Sequence, residues 1–378
     1  MKHSPFLFAA ILSIYLTPVQ SSNGEIDEFN DYINTSISKA NIAGMGIGIV
    51  SGDSILFTQG YGYSDIEAKE PFTPQTVMNI ASISKTFVGV ALMHLVERGL
   101  IGLNDDVNNF LPFKVLNPHL PELIITPRHL MSHSSGIKDD QKVYLPSYHY
   151  GGDSPIPLGE FLKDYLSPNG THYSKNNFTK SKPGEKFVYS NIGAGLAGYI
   201  VESVSGKPLN IFTREIIFNP LSMNNTCWFL SEMDRAKHSR LYESKNNNTL
   251  LDNIDLYGLT TYPDGGVRTT VADLSLYLLC IMNKGLYKGK RILKEETVAE
   301  MLTPDYIDSY TKFWMIGESV GHGGGDPGVS TGMYYSPKDK LGIIFFINTS
   351  SYGRLEKKEK KIFKFGQRMI HAGKKTND

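Results

Sequence analysis

Segments typical of β-strands lie near both ends of this chain, and this arrangement constrains the fold more than any other feature. An amphipathic helical pattern at 25–39 precedes two short apolar runs joined by the turn residues Ser51-Gly52-Asp53. Near the other end, apolar runs at 329–336 and 341–348 precede a second helical pattern at about 354–372. Short apolar runs around turn residues are typical of antiparallel strands. Both ends are therefore predicted to consist of helix and antiparallel sheet.

The middle of the chain has a different pattern. Apolar residues recur there at helical spacing, in segments separated by loops rich in glycine, proline and asparagine. The predicted helices include 84–98, 127–132, 193–205 and 271–283. Two other segments, 138–182 and 242–264, are rich in polar and turn-forming residues, and we predict that they are long surface excursions that shape a cleft.

This pattern predicts an α+β fold in which a helical region is inserted into an α/β region. The α/β domain is discontinuous, made of 22–78 and 265–378, and 79–264 forms the mostly helical domain. A chain of 378 residues is long enough for this arrangement and for a sizeable core.

The charge balance excludes some classes of partner. The chain has 38 Lys+Arg and 38 Asp+Glu residues, so its formal net charge is zero. A broad positive surface that would attract nucleic acid or an anionic membrane is therefore not expected. The partner predicted is a small molecule or a peptide.

The first 21 residues resemble a secretory signal peptide. Lys2 and His3 precede an apolar stretch from Pro5 to Leu16, and Val19-Gln20-Ser21 offers a small-residue cleavage site. The apolar stretch is shorter than the roughly 20 residues that span a bilayer. We therefore expect export to the periplasm, the cell envelope or the medium. The two cysteines, Cys227 and Cys280, are expected to be buried free thiols, because a chain of this size does not need a disulfide.

A serine and a lysine three residues apart open the helix predicted at 84–98. Ser82 and Lys85 would share one helix face, and a nearby amine whose pKa is lowered can activate a serine hydroxyl as a nucleophile. The S-x-x-K pattern alone is weak, because it also occurs at 36–39, 135–138 and 309–312. Only Ser82 begins a strongly patterned apolar helix. The alternative is that Ser82 merely caps this helix.

Two further segments carry polar chemistry. Tyr189 and Asn191 flank a single residue just before the helix predicted at 193–205, so both side chains can point the same way. A phenol beside lysine charges can carry a proton, and an amide can orient a lysine or bind a carbonyl. Alternatively, Tyr189 is a hydrogen-bonded core tyrosine.

A glycine-rich segment, Gly321-His322-Gly323-Gly324-Gly325, precedes the strand predicted at 329–336. Glycine permits a strand edge to approach a ligand closely, and its backbone N–H groups can bind an oxyanion or an extended peptide. A phosphate-binding turn is disfavoured, because no Gly-Lys-Ser/Thr ending follows. His129 and His133 lie four apart but lack the glutamate of a zinc-protease helix, so no metal is expected.

In this order, S-x-x-K at Ser82, Y-x-N at Tyr189 and [K/H]-x-G at His322 resemble the serine β-lactamase and penicillin-binding protein superfamily. The stretches 125–136 and 264–270 resemble the branch that holds class C β-lactamases, D,D-peptidases, D-aminopeptidases and family VIII esterases. The similarity extends from about residue 25 to about 350. It implies a β-lactamase-like fold with the active site between sheet and helical domain.

The resemblance also implies roles for individual residues. Ser82 would be acylated, and its N–H group and that of Gly325 would form the oxyanion hole. Lys85 and Tyr189 would share the general-base and general-acid roles, and Asn191 would orient Lys85 and the substrate. His322 would stand beside Tyr189. Which of Lys85 and Tyr189 takes the serine proton stays open, and no cofactor is implied.

The third element departs from the Lys-Thr-Gly of many β-lactamases, because this chain has His322-Gly323-Gly324 there. A neutral histidine and a glycine do not hold a substrate carboxylate in the same way. A histidine at this position resembles some D,D-peptidases and D-aminopeptidases. The function predicted is hydrolysis of a peptide, amide or ester through an acyl-enzyme. The alternatives are a carboxylesterase, a weak β-lactamase, or a penicillin-binding sensor without turnover.

Overall fold

The computed structural model describes residues 23–245, 250–350, 361–362 and 364–369. The α-helices are α1 (Asn23–Lys39), α2 (Ser84–Glu97), α3 (Pro127–Met131), α4 (Gln141–Tyr144), α5 (Leu158–Leu166), α6 (Asn191–Ser205), α7 (Leu209–Thr213), α8 (Val271–Met282) and α9 (Glu295–Leu302). A π-helical turn, Arg214–Phe218, follows α7, and residues 361–362 and 364–369 are also helical.

The strands are β1 (Gly44–Ser51), β2 (Ser54–Asp65), β3 (Glu70–Pro71), β4 (Met78–Asn79), β5 (Tyr148–Tyr150), β6 (Leu241–Lys245), β7 (Leu250–Ile254), β8 (Tyr257–Leu259), β9 (Arg268–Thr269), β10 (Leu286–Tyr287), β11 (Lys290–Arg291), β12 (Tyr310–Thr311), β13 (Trp314–Met315), β14 (Val320–Asp326), β15 (Val329–Ser336) and β16 (Leu341–Ile347). Short two-stranded sheets are formed by β4 with β9, β5 with β8, β6 with β7 and β10 with β11.

One eight-stranded sheet is built from the two ends of the chain. Its order is β12-β13-β14-β15-β16-β1-β2-β3, and its neighbours pair antiparallel. The first and last parts of the chain meet in the centre, where β1 pairs with β16 and Ile47 lies opposite Phe345. The prediction that both ends consist of helix and antiparallel sheet is confirmed.

The two faces of the sheet pack against different helices. On one face, Met45, Ile47 and Ile49 of β1 belong to a cluster with α1 and the helical residues after 360. On the other face, a Cβ at Gly46 would lie 2.8 Å from Val271 Cγ2 of α8. Since alternate strand residues point to opposite faces, the alternation of glycine with large residues lets α8 approach one face while the other remains apolar.

The middle of the chain is mostly helical around α2 and α6. Residues from Ser84 to Met93 of α2 are all buried, so this helix has no solvent face and lies at the centre of the larger core. The prediction that 138–182 is a surface excursion is only partly right, since it contains α5, whose Leu162 and Tyr165 are buried. Similarly, 242–264 contains β7, β8 and most of β6. The aromatic residues of these elements are packed inside the protein, although the polar composition of the two segments predicted that they would be exposed.

Several predictions concern other parts of the chain. The signal peptide predicted at 1–21 lies outside the described residues, and the domain boundaries at 78/79 and 264/265 stay a prediction. In the part of the chain that the structure describes, no helix is long and apolar enough to cross a membrane. Cys227 and Cys280 are both buried and free, as expected.

Candidate active site

Ser82 lies on a tight turn at the start of the central helix. A 3₁₀ turn, Ala81–Ile83, leads directly into α2, and Ala81 has a positive φ of 48°, which is unusual for a residue other than glycine. Neither the turn nor α2 has a side-chain cap at its start, so Ser82 is not a helix cap. Ser82 is partly exposed. Its hydroxyl is therefore accessible to a substrate.

Lys85 lies one helical turn further on and is completely buried. Its Nζ is 3.0 Å from Ser82 Oγ and 2.7 Å from the backbone oxygen of Asp264. The amine donates to both oxygens, so it is held in a fixed position beside the hydroxyl.

The protonation of Lys85 differs from the expectation. Burial lowers the pKa of Lys85, but nearby negative charge at Tyr189 and Asp264 outweighs burial, so the pKa lies above its ordinary value. A lysine that acts as a base needs a lowered pKa, and the pKa of Lys85 is instead raised. Lys85 is an ammonium that donates hydrogen bonds.

The nucleophile turn is fixed by contacts distant in sequence. Thr331 Oγ1 of β15 donates to Ile80 O at 2.9 Å, and the Ile80 N–H donates to Val267 O at 2.9 Å. The Val267 N–H in turn donates to Ser84 Oγ at 3.0 Å. These bonds join the sheet, the turn and the segment at 264–270.

Tyr189 completes the group around the lysine. Lys85 Nζ lies 5.0 Å from the centre of the Tyr189 ring, and the two side chains interact electrostatically. The ring packs against His133, with centroids 4.1 Å apart, and 38% of Tyr189 is exposed. The alternative of a buried core tyrosine is therefore wrong.

The loop that carries Tyr189 is held by a carboxylate that the sequence analysis did not identify. Asp139 accepts hydrogen bonds from Ser190 Oγ at 2.7 Å, from Asn191 N at 2.8 Å and from Ile192 N at 3.1 Å. Asn191 begins α6, and its side chain is partly exposed. The sequence signal for Asp139 is weak, because an acidic residue in a polar loop is common.

The glycine-rich segment forms β14, close to the nucleophile turn. A Cβ at Gly324 would lie 2.3 Å from Ile80 O and 3.2 Å from Ala81 Cβ, so only glycine permits this approach. Gly321 pairs with Met315 of β13. On its other side, Gly321 lies opposite Tyr334 of β15, so β14 is paired on both sides at this position.

His322 is engaged within the protein. Its Nδ1 is 2.5 Å from Gly323 O, and its Nε2 is 2.9 Å from Tyr310 Oη. A carbonyl only accepts, so Nδ1 carries the proton and Nε2 accepts from the tyrosine. Burial lowers the pKa of His322 to about 3, so the ring is neutral. It stands 6.5 Å from the Tyr189 ring, centre to centre, and has no free N–H for a substrate.

Two buried carboxyls, Asp264 and Asp326, lie close enough to Lys85 to act on its charge. Tyr144 Oη donates to Asp264 Oδ1 at 3.1 Å, and Tyr148 Oη donates to Asp326 Oδ1 at 2.7 Å. Burial raises the pKa of Asp264 to about 7 and that of Asp326 to about 6. Asp264 begins the segment 264–270 that carries part of the resemblance, and Asp326 follows the glycine-rich segment, but no sequence pattern assigns either carboxyl a role.

A family model described as Beta-lactamase matches residues 26–366. The chain belongs to the beta-lactamase family. Protein flp from Staphylococcus aureus (strain MRSA252) is 26% identical over 335 residues, which are 87% of this chain and 64% of that protein. The chain thus spans less than two thirds of this relative's length.

Solved structures support the family assignment of this beta-lactamase family chain. The octameric penicillin-binding protein homologue from Pyrococcus abyssi has 26% sequence identity and a TM-score of 0.70, over 86% of this chain and 74% of that one. The D-amino acid amidase from Ochrobactrum anthropi SV3 has the same TM-score at 19% identity, over 94% and 100% of the two chains. The second likeness shows the fold alone.

In this beta-lactamase family chain, the fold brings together the three sequence elements that carried the resemblance. Ser82 and Lys85 lie on the central helix, Tyr189 beside the amine, and the glycines of β14 against the nucleophile turn. Of the remaining S-x-x-K segments, 36–39 ends α1, 135–138 contains Gly136 with a φ of 81°, and 309–312 ends at Lys312, whose amine pairs with Asp305 at 2.7 Å. His129 and His133 join no cluster of three or more metal-ligating side chains among the described residues.

Proposed function

We propose that this chain is a serine hydrolase that acts through an ester on Ser82 Oγ. The observation that carries the proposal is the 3.0 Å contact between Lys85 Nζ and Ser82 Oγ, with the Tyr189 ring beside the same amine. A hydroxyl becomes an effective nucleophile when a neighbouring group removes its proton, and these residues are the groups within reach. Membership of the beta-lactamase family supports the same chemistry.

The protonation of Lys85 supports a division of roles. Because the raised pKa keeps Lys85 charged, the amine donates to Ser82 Oγ and has no lone pair with which to take its proton. Tyr189, acting in its phenolate form beside the Lys85 ammonium, then accepts the serine proton as Ser82 Oγ attacks the substrate carbonyl, and becomes a neutral phenol. The same phenol returns the proton to the leaving group when the acyl bond breaks.

The tetrahedral intermediate carries a negative oxygen that backbone N–H groups stabilise. The N–H groups of Ser82 and Gly325 are proposed for this role, and the close approach of β14 to the turn before α2 at Gly324 supports it. Water then attacks the Ser82 ester, with the same proton carriers in reverse. All these steps use side chains and backbone, so the proposed mechanism includes no cofactor.

The substrate proposed is a peptide, amide or ester, and derivatives of D-amino acids are the first choice. The histidine in the third sequence element, which resembles some D,D-peptidases and D-aminopeptidases, supports this choice. Export is proposed as well, on the signal-like residues 1–21. Sequencing the N-terminus of the secreted protein tests export, which predicts a first residue after the Val19-Gln20-Ser21 segment.

Labelling with a fluorescent phosphonate tests the nucleophile. The wild-type protein is expected to be labelled and Ser82→Ala is not, because the alanine has no oxygen to acylate. Ser36→Ala is a matched control, since 36–39 repeats the Ser-Ile-Ser-Lys sequence of 82–85. Turnover is measured with nitrophenyl butyrate and D-alanyl nitroanilide. Equal labelling of Ser82→Ala contradicts the role of Ser82, and labelling without turnover of any ester or amide contradicts hydrolysis.

A further inference from the structure

A cavity of about 400 Å³ lies on the Tyr189 side of the proposed active site. The larger side chains that line it are Phe187, Tyr310, Met315, Ile316, Glu318 and Tyr334. It is therefore formed by the loop before Tyr189 together with the edge of the sheet at β12 and β13. This cavity has no role in the steps proposed above.

Aromatic contacts connect this cavity to the reacting groups. The Phe187 and Tyr310 rings are 5.4 Å apart, and Tyr310 Oη donates to His322 Nε2 at 2.9 Å. Tyr310 also stacks edge to face with Tyr189, at 6.5 Å between centroids. The cavity is thus separated from the proposed proton carrier by a single aromatic ring.

The position of Tyr189 as proton carrier determines which half of the substrate binds on the same side of the site as the cavity. Tyr189 returns its proton to the atom that leaves, so the leaving group must lie next to the phenol. The acyl half is bonded to Ser82 Oγ and extends away from the phenol. Accordingly, the cavity beside Phe187 and Tyr310 accommodates the leaving group.

The lining of the cavity is apolar, and its charge is negative. Phe187 and Met315 are 43% and 42% exposed. An apolar leaving group that covers these side chains removes their surface from water, and this burial favours its binding. Among the lining residues that the structure describes, Glu318 carries the only charge, and none is Lys or Arg. His322 is neutral, and both of its ring nitrogens are engaged. A carboxylate here would lose water without gaining a cation.

We infer that this cavity selects an uncharged, apolar leaving group, an alcohol or amine without a carboxylate. The inference rests on the proposed function and makes it more specific. Peptides that end in a free carboxylate, in which the leaving amino acid carries the negative charge, become poor substrates. Esters and amides with alkyl or aryl leaving groups become good ones.

A matched pair of esters tests the inference. The benzyl ester and the 4-carboxybenzyl ester of one D-amino acid share the acyl group and nearly the same shape, and differ in one charge on the leaving alcohol. The wild-type kcat/KM is expected to be at least about tenfold higher for the benzyl ester, because the carboxylate is desolvated without a partner. Equal values for the two esters overturn the inference.

Variants locate the selectivity. Glu318→Lys is expected to reduce the preference for the benzyl ester by about 2- to 5-fold. The introduced ammonium can pair with the carboxylate of the other ester, and an exposed pair of charges has an effect of this size. Glu296→Lys, an exposed glutamate of α9 with the same change of net charge, is the control and is expected to leave the preference unchanged. Equal effects of the two variants overturn the assignment of the cavity.

A second pair of variants tests the apolar contact. Met315→Ala is expected to lower the kcat/KM ratio of the benzyl to the methyl ester, whereas Leu286→Ala, at an exposed position outside the cavity, is expected to leave this ratio unchanged. A ratio that Met315→Ala leaves unchanged contradicts the inference. If Ser82 is labelled and esters are hydrolysed without discrimination, the inference fails and the proposed function stands. If both labelling and turnover are absent, both fail.

Discussion

The carboxyl of Asp264 is the clearest case of a single residue held in an unfavourable state. Its side chain is 3% exposed, and burial raises its pKa to about 7 although the Lys85 ammonium is close. The backbone oxygen of the same residue holds the Lys85 amine at 2.7 Å. The backbone oxygen of Asp264 therefore helps to position Lys85, whereas ionisation of its buried carboxyl lowers the stability of the fold.

We predict that Asp264→Asn changes how stability depends on pH. Between about pH 4 and pH 7 the folded carboxyl binds its proton more tightly than the unfolded chain does, so the wild-type free energy of unfolding falls as pH rises through this window. Asparagine does not ionise and escapes this loss. Relative to the wild type, the variant is expected to gain stability from pH 4 to pH 8, by on the order of 2 to 4 kcal/mol.

Urea unfolding at several pH values measures this difference. Asp53→Asn is the control, since Asp53 lies in the exposed turn between β1 and β2 and contacts Ser54. Buried histidines such as His322 titrate in both the wild type and the variants, and their effect cancels in the comparison. A constant stability difference between Asp264→Asn and the wild type from pH 4 to pH 8 is the result that contradicts the prediction.

At the scale of elements, the site depends on how closely β14 approaches the turn before α2. Gly324 is the point of closest approach, because a Cβ there would lie 2.3 Å from a backbone oxygen, at Ile80, which cannot rotate away as a side chain does. The hydrogen bond from Thr331 Oγ1 to Ile80 O holds the turn at this distance. The position of Ser82 relative to β14 is thus set by two residues that do no chemistry.

Gly324→Ala is therefore expected to move β14 away from the turn while the fold persists. A displacement of about 1 Å between reacting groups can lower a rate about 100-fold, so kcat is expected to fall by roughly that factor. Gly24→Ala at the start of α1 is the control, since a Cβ there meets nothing within 4 Å. Rates are compared after circular dichroism has shown that both variants are folded. A Gly324→Ala variant with wild-type kcat is incompatible with this explanation.

The sequence predicted the elements that have a local signal. The helix predicted at 25–39 is α1 (Asn23–Lys39), and the helix predicted at 271–283 is α8 (Val271–Met282), because each has the apolar spacing of a helix. Ser82, Lys85 and Tyr189 were found by combining three motifs distant in sequence. None of the three is specific alone.

The residues that the sequence did not reveal act through long-range contacts. Asp139 binds the turn at Ser190, 51 residues away in the chain, and Tyr310 packs against Tyr189 from a distant part of the chain. The raised pKa of Lys85 depends on Asp264, which lies 179 residues away in the chain. Burial and partner identity determine such effects, and no local spacing reports either of them.

At the scale of the whole molecule, the sheet separates two hydrophobic cores, of which only the larger surrounds the proposed active site. The larger core surrounds α2 and the site, whereas the smaller core lies on the opposite face between the sheet, α1 and the helical residues after 360. In the smaller core, the rings of Phe29 and Phe365 stack at 3.9 Å between centroids and join the two ends of the chain. The smaller core is therefore expected to contribute to stability without touching the proposed chemistry.

We predict that Phe365→Ala lowers stability and leaves the chemistry unchanged. Phe365 is fully buried, and removing such a ring costs about 3 to 5 kcal/mol, since the cavity it leaves adds to the lost burial. The midpoint of urea unfolding is expected to fall, while kcat/KM at 25 °C in the absence of urea stays within about twofold of the wild type as long as the variant remains folded. Phe57→Ala, which removes a partly exposed ring of the same cluster, is expected to show a smaller loss. Because the sheet lies between this cluster and Ser82, a Phe365→Ala protein that is folded but inactive would show that the two faces are mechanically coupled, contrary to the separation argued here.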